Sequence, residues 1–150
     1  MSAASQYAIK AYAKVGIETG TTGASSHQLV LMLFEGAMLA ISDARNHMLR
    51  AETAAKGKAI SKAIAIINDG LQASLDLKVG GPLAQNLHAL YEYMGNRLLF
   101  ANLKNETAVL DEVKHLLAEL KEAWEAIGKP RGQAVAPDQQ RAAMSAYNRV

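Results

Sequence analysis

Between residues 25 and 128, apolar side chains return every three or four positions in four successive runs. That is the period of helices with a buried face. Two of the runs carry more apolar surface than the inside of a helical bundle takes up. The chain is therefore constrained to fold as packed helices and still to keep apolar side chains outside.

The breaks between runs set the boundaries. Ser25 with Gln28 three residues later reads as a capping box ahead of Leu29–Phe34, so the first long helix is expected from about Ser26 to Arg50. The second is expected from about Ala54 to Leu77. The turn Val79-Gly80-Gly81-Pro82 ends it, and Pro82 suits the first turn of the third helix, where a missing N–H costs nothing. That helix is expected to reach about Leu103. Asn105 is the expected N-cap of a fourth helix, which runs to Ile127 and stops at Gly128 before Pro130. Four helices joined by short turns predict an all-α, antiparallel up-down four-helix bundle. Residues 1–24 read as an N-terminal lead or lid segment packing on that bundle. It is weakly helical over Ser5–Val15 and broken by Gly16, Gly20 and Gly23. Residues 129–150 read as a flexible tail or loose helix, leaving 25–128 as the bundle.

The faces are unequal. In the fourth run Leu110, Val113, Leu117, Leu120, Trp124 and Ile127 make one stripe, with Trp124 as a core anchor whose indole N–H wants an acceptor. The second run has a deep stripe of Ile60, Ile64, Ile67, Leu71 and Leu75. Beside it lies a second stripe of mostly small residues, Ala59, Ala63, Ile66, Gly70 and Ala73. Either a neighbouring helix covers this second stripe, or it is a shallow trough that another backbone approaches. The third run faces Leu83, Leu87, Leu90, Tyr91, Met94, Leu98 and Ala101 inward and carries Tyr93, Arg97 and Phe100 along another edge. Such an edge can anchor a peptide or cover the ends of the core. Leu29–Phe34 is apolar almost all round, and the lead segment with Tyr7, Ile9, Tyr12 and Val15 is the expected cover.

Chemistry finds little support. The chain has no cysteine, which excludes disulfides and thiolate metal sites and fits a reducing compartment. No apolar run approaches the roughly 20 residues of a membrane span, and the start lacks the pattern of a secretory signal, so a cytoplasmic protein without membrane insertion is expected. The net charge is +2 and the body is mildly acidic, which does not suit nucleic acid. Glu112-Val113-Lys114-His115 is a single Glu-x-x-His where di-iron bundles need two, and no metal site or cofactor is expected. His88 with Leu90 allows a phosphotransfer bundle as a rival reading, and a helical homo-oligomeric adaptor is another. No serine sits in a nucleophile motif, so no enzyme is expected.

The ordered set Ala8-Ile9-Lys10-Ala11-Tyr12, Ala24-Ser25-Ser26-His27-Gln28-Leu29, Met32-Leu33-Phe34-Glu35-Gly36-Ala37, Lys62-Ala63-Ile64-Ala65-Ile66-Ile67, Gly80-Gly81, Asn86-Leu87, Leu90-Tyr91-Glu92-Tyr93-Met94, Ala101-Asn102-Leu103 and Ala123-Trp124 resembles the flagellar export chaperone family FliS. The resemblance covers roughly residues 7–128. Where the family has Ser-Pro, this chain has Ser25-Ser26, which leaves the capping logic intact. The resemblance implies a cytoplasmic helical bundle that binds the disordered C-terminal segment of flagellin in apolar grooves. It also implies that the bundle prevents premature polymerisation and presents its cargo to a component of the flagellar type III export gate. It further implies that the N-terminal segment occupies part of the binding surface when flagellin is absent, with Tyr12 in the place of the family's N-terminal tyrosine. The expected flagellin-binding residues are Tyr7, Tyr12, Ala63, Ile66, Gly70, Tyr93, Arg97 and Phe100.

Overall fold

The computed structural model describes residues 3–14 and 23–128, and among them every regular element is helical. A short α1 (Ala3–Ala11) precedes four long helices. These are α2 (Gly23–Leu49), α3 (Thr53–Ala65, continued by π-helical turns over Ile66–Gln72), α4 (Gly81–Lys104) and α5 (Thr107–Ile127). Helix α2 packs on α3 and α5, and α4 packs on the same two, which closes a ring. With connections this short, neighbouring helices run antiparallel, as the periodicity predicted. The glycine-rich break expected after Val15 and the tail from residue 129 lie outside the described residues.

The core follows the expected stripes. Ile60, Ile67, Leu71, Tyr91, Met94, Leu98, Leu110, Val113 and Leu117 are fully enclosed, with Val30, Phe34 and Ile41 from α2. Each such side chain contributes about 1.5–3 kcal/mol by leaving water. Ile64, Leu120 and Ile127 sit at the margin of the core. Trp124 is buried, and its indole N–H donates to the His27 carbonyl at 3.0 Å. His27 Nε2–H donates back to the Trp124 carbonyl at 2.6 Å, and the two rings stack with centroids 4.8 Å apart.

Three helix ends depart from expectation. The first long helix already runs from Gly23, so Ser25 lies inside its opening turn and not ahead of it. Asn105 does not start α5. It ends α4 in the left-handed conformation at φ 54°, which asparagine tolerates better than most residues. Lys56, only 5% exposed, donates to the Asn102 carbonyl (2.9 Å) and to Asn105 Oδ1 (2.6 Å), placing a cation where helix carbonyls lack partners. Helix α5 opens instead behind Glu106, in extended backbone.

The second expected helix ends near Gln72, short of Leu77. Beyond Ala65 the backbone widens into π geometry, and Ala73 N–H bonds the Asn68 carbonyl five residues back. Ser74 Oγ takes up the Gly70 carbonyl, which competes with helix continuation. Asp76 Oδ1 then accepts the N–H groups of Lys78 and Val79, an Asx-type turn that reverses the chain. Gly80 lies where a Cβ would strike the Ala11 and Asp76 backbone and Ala84, and Gly81 holds φ +58°.

This crowded turn is where α1 lands. Asp76 N–H donates to the Ala11 carbonyl at 2.8 Å, and Ala11 and Tyr12 are buried. The main packing partner of α1 is α4. The expectation that the lead segment covers the start of the first long helix is therefore corrected. Met32 remains open, while Leu29, Leu31 and Leu33 are half-buried.

Candidate functional site

The third run's edge is open in the structure. Along the last three turns of α4, Tyr93 is 43% exposed, Phe100 41% and Leu103 76%, and Leu99 is exposed beside them. From Tyr93 to Leu103 this stripe is about 15 Å long. Glu112 of α5 holds its polar members in place. Tyr93 Oη donates to Glu112 Oε2 at 2.5 Å, and Arg97 Nε donates to Glu112 Oε1 at 2.9 Å. The guanidinium of Arg97 then lies 5.2 Å from the centroid of the Phe100 ring, within cation–π range. The Tyr93 and Arg97 hydrogen bonds hold the Glu112 carboxyl below its ordinary range, and the bond to Glu112 raises the Tyr93 phenol. An apolar stripe therefore carries a polar border held by Glu112. Leu99 and Leu103 were not singled out from the sequence. Their signal was available, since 96, 99, 100 and 103 share the outward arc opposite Leu87, Leu98 and Ala101.

The small-residue stripe on α3 is not an open trough. Ala63 is 0% exposed. A Cβ at Gly70 would meet Leu33 of α2 at 2.9 Å, and one at Gly36 of α2 would meet Ile66 Cδ1 at 3.4 Å. Ala63, Ile66 and Gly70 thus belong to the seam between α3 and α2, as the neighbouring-helix reading has it, while Ala73 at the end of the stripe stays exposed. Ile66 is half-buried at the rim of that seam. Just outside it, Met32 (62% exposed) and Leu39 (63%) stand on the outer face of α2 with Gly36 between them. Thus Tyr93, Arg97 and Phe100 come together on the α4–α5 seam, while Ala63, Ile66 and Gly70 belong to the α2–α3 seam. The two sets do not line one groove.

The lead residues divide as well. Tyr7 is exposed. Tyr12 is buried, its hydroxyl hydrogen-bonded to that of Tyr91 and its ring edge-on to Trp124 at 5.0 Å. Burial raises both phenol pKa values, Tyr91 the further by its contact with Tyr12.

His88 is tied to the π-helical segment, with Gln72 Nε2 3.2 Å from its Nε2 and donating to its carbonyl at 3.3 Å. Glu112 serves Tyr93 and Arg97, and His115 pairs with Glu119 at 2.9 Å. Among the described residues no three His, Asp or Glu side chains are grouped to hold a metal. No described helix is long and apolar enough to cross a membrane.

The family model described as "Flagellar protein FliS" matches residues 8–131. The chain belongs to the FliS family. It is 50% identical to the flagellar secretion chaperone FliS of Salmonella typhimurium over 119 residues, 79% of this chain and 88% of that protein. It is 45% identical to the flagellar secretion chaperone FliSB of Pseudomonas aeruginosa over 120 residues, 80% of this chain and 94% of that one. With the Bacillus subtilis flagellar secretion chaperone FliS the identity is 32% over 114 residues. The relatives' names describe chaperones, a non-enzymatic role. The family match takes in α2 to α5 and the Tyr12 contact, and it stops before residue 132.

Proposed function

We propose that this FliS-family chain binds the C-terminal segment of flagellin in the cytoplasm, keeps it from polymerising, and delivers it to a component of the flagellar type III export gate. The observation that carries this reading is the open apolar stripe Tyr93–Phe100–Leu103, bordered by the fixed Arg97–Glu112 pair. A filament subunit must hide an assembly-prone apolar face before export, and a helix laid along such a stripe does that. The Met32–Leu39 face, with Ile66 at its rim, offers a second landing place for a segment that wraps the bundle. Burying about 1,500 Å² of apolar surface in all contributes on the order of 40 kcal/mol gross at about 25 cal/mol per Å². Ordering the segment offsets most of that. Tyr12 acts from its buried position in this reading. It pins the lead segment over Tyr91 and Trp124, which a cargo segment reaches when α1 moves away, and Tyr7 meets the cargo directly.

The test is Phe100→Asp. Phe100 lies outside the core, so the variant is expected to keep the helical circular-dichroism spectrum and its melting profile. It is also expected to lose co-purification with flagellin. Retained flagellin binding sinks the stripe as the cargo site. Ile66→Asp separates the second patch in the same assay. Light scattering on the isolated chain addresses the rival adaptor reading, which requires a stable, concentration-independent oligomer.

A further inference from the structure

The open stripe on α4 carries an unbalanced charge. Phe100 stands between two cations, Arg97 three residues before it and Lys104 four after. At 1.5 Å and 100° per residue, the two lie about 10.5 Å apart along the helix and about 20° apart around it. Against them stands the Glu112 carboxylate, and both its oxygens are engaged, Oε2 by Tyr93 and Oε1 by Arg97. Other carboxylates of α4 and the start of α5 do not restore the balance. Asp111 holds Arg45 of α2 at 3.1 Å, and the exposed Glu92 and Glu106 form no ion pair among the described residues. Lys104, exposed in the last turn of α4, forms none there either. Its position suits the helix dipole, which occupies no donor of the ammonium group.

Arg97 is held ready for a second anion. Its Nε–H goes to Glu112 at 2.9 Å, and its Cζ lies over the Phe100 ring, 5.2 Å from the centroid. The N–H groups of the terminal nitrogens make no hydrogen bond among the described residues, and the side chain is 33% exposed. A guanidinium bonded through Nε and stacked on one face keeps its terminal edge for a carboxylate, which it meets with parallel hydrogen bonds. Because Glu112 and Phe100 already fix the side chain, little rotamer freedom remains to be lost on binding.

We propose that the cargo segment docking on this stripe is an acidic amphipathic helix. Arg97 takes one of its carboxylates, Lys104 takes another about two turns along, and an apolar side chain between them rests on Phe100. This rests on the stripe being the cargo site, and it adds the charge and spacing that the stripe selects. The test titrates the full chain with the C-terminal segment of flagellin at ionic strengths well below and well above about 0.1 M, where the screening length is about 10 Å. Parent affinity is expected to fall several-fold as salt rises. Arg97→Gln/Lys104→Gln is expected to bind about tenfold more weakly at low salt and to lose most of the salt dependence. Lys58→Gln/Lys62→Gln, at exposed positions on the outer side of α3, is expected to keep the parent's salt dependence. Parent-like affinity and salt dependence in Arg97→Gln/Lys104→Gln overturn the acidic partner and leave the stripe standing. So does a loss that is equal at every salt concentration, which would be lost packing. The same flattening in the α3 variant overturns it too, because total charge would then be the cause. Full binding by Phe100→Asp instead removes the stripe as the site, and the acidic register with it.

Discussion

Tyr12 and Tyr91 bury two phenol hydroxyls against each other, and each satisfies the other's hydrogen-bonding need. Losing one partner leaves the other hydroxyl enclosed and unpaired, which costs about 1–3 kcal/mol, whereas losing both is nearly neutral in this respect. Tyr12→Phe and Tyr91→Phe are each expected to lower stability in urea unfolding, and the double variant to cost less than their sum. The pair also sets an alkaline limit. Both pKa values are raised in the folded protein above the ordinary 10.0. The unfolded chain therefore gives up these protons first as pH rises. The stability from the pair is fully present below about pH 10 and is lost above it. Circular dichroism against pH should show unfolding beginning there, with the phenolate absorbance of these two residues appearing only as the helices are lost. Their burial was half legible. The position of Tyr91 follows from its three-and-four spacing with Leu87, Met94 and Leu98. Tyr12, on a weakly helical segment, was expected over Leu29–Phe34 and instead meets Tyr91 and Trp124.

Among the elements, the junctions were harder to read than the helices. Asn105 suits either end of a helix by residue type, and Lys56, nearly fifty positions earlier in the chain, favours the α4 end by bonding its side chain and the Asn102 carbonyl. Asn105→Ala is expected to destabilise the protein by about 1–2 kcal/mol through the left-handed backbone, plus the lost Lys56 bond, read as a drop in denaturant midpoint. Asn105→Gly keeps the conformation and should cost less. The π-helical end of α3 was likewise hidden, because its apolar period does not register a widened turn. Gly80 belongs to this scale too. A Cβ there would meet Ala84 at 2.6 Å, the Ala11 backbone at 2.7 Å and the Asp76 carbonyl at 2.9 Å, so Gly80→Ala is expected to strain the turn into α4 and the seat of the lead segment together, read as a lower denaturant midpoint.

For the whole molecule, α1 closes one end of the bundle and leaves the α4 stripe open. Deleting residues 1–15 is expected to increase dye binding to apolar surface, because Tyr91 and Trp124 lose the ring that covers them. No increase, together with unchanged flagellin affinity, removes the lid role. On the function proposed above, cargo affinity is spread along a stripe without a central pit. Single truncations such as Tyr93→Ala or Leu103→Ala should each weaken flagellin binding by roughly tenfold or less, about 1.4 kcal/mol.

The order and number of helices, the core stripes and the family are properties of the linear pattern, because a helix's buried face repeats within a few residues of itself. Which leftover apolar face stays open is another matter, since a stripe of small residues looks the same whether a neighbouring helix or a partner lies against it. Packing set Leu33 over Gly70 and enclosed Ala63 on the α3 stripe, and it left Tyr93, Leu99, Phe100 and Leu103 uncovered. That choice rests on contacts between residues far apart in the chain, which no local period encodes.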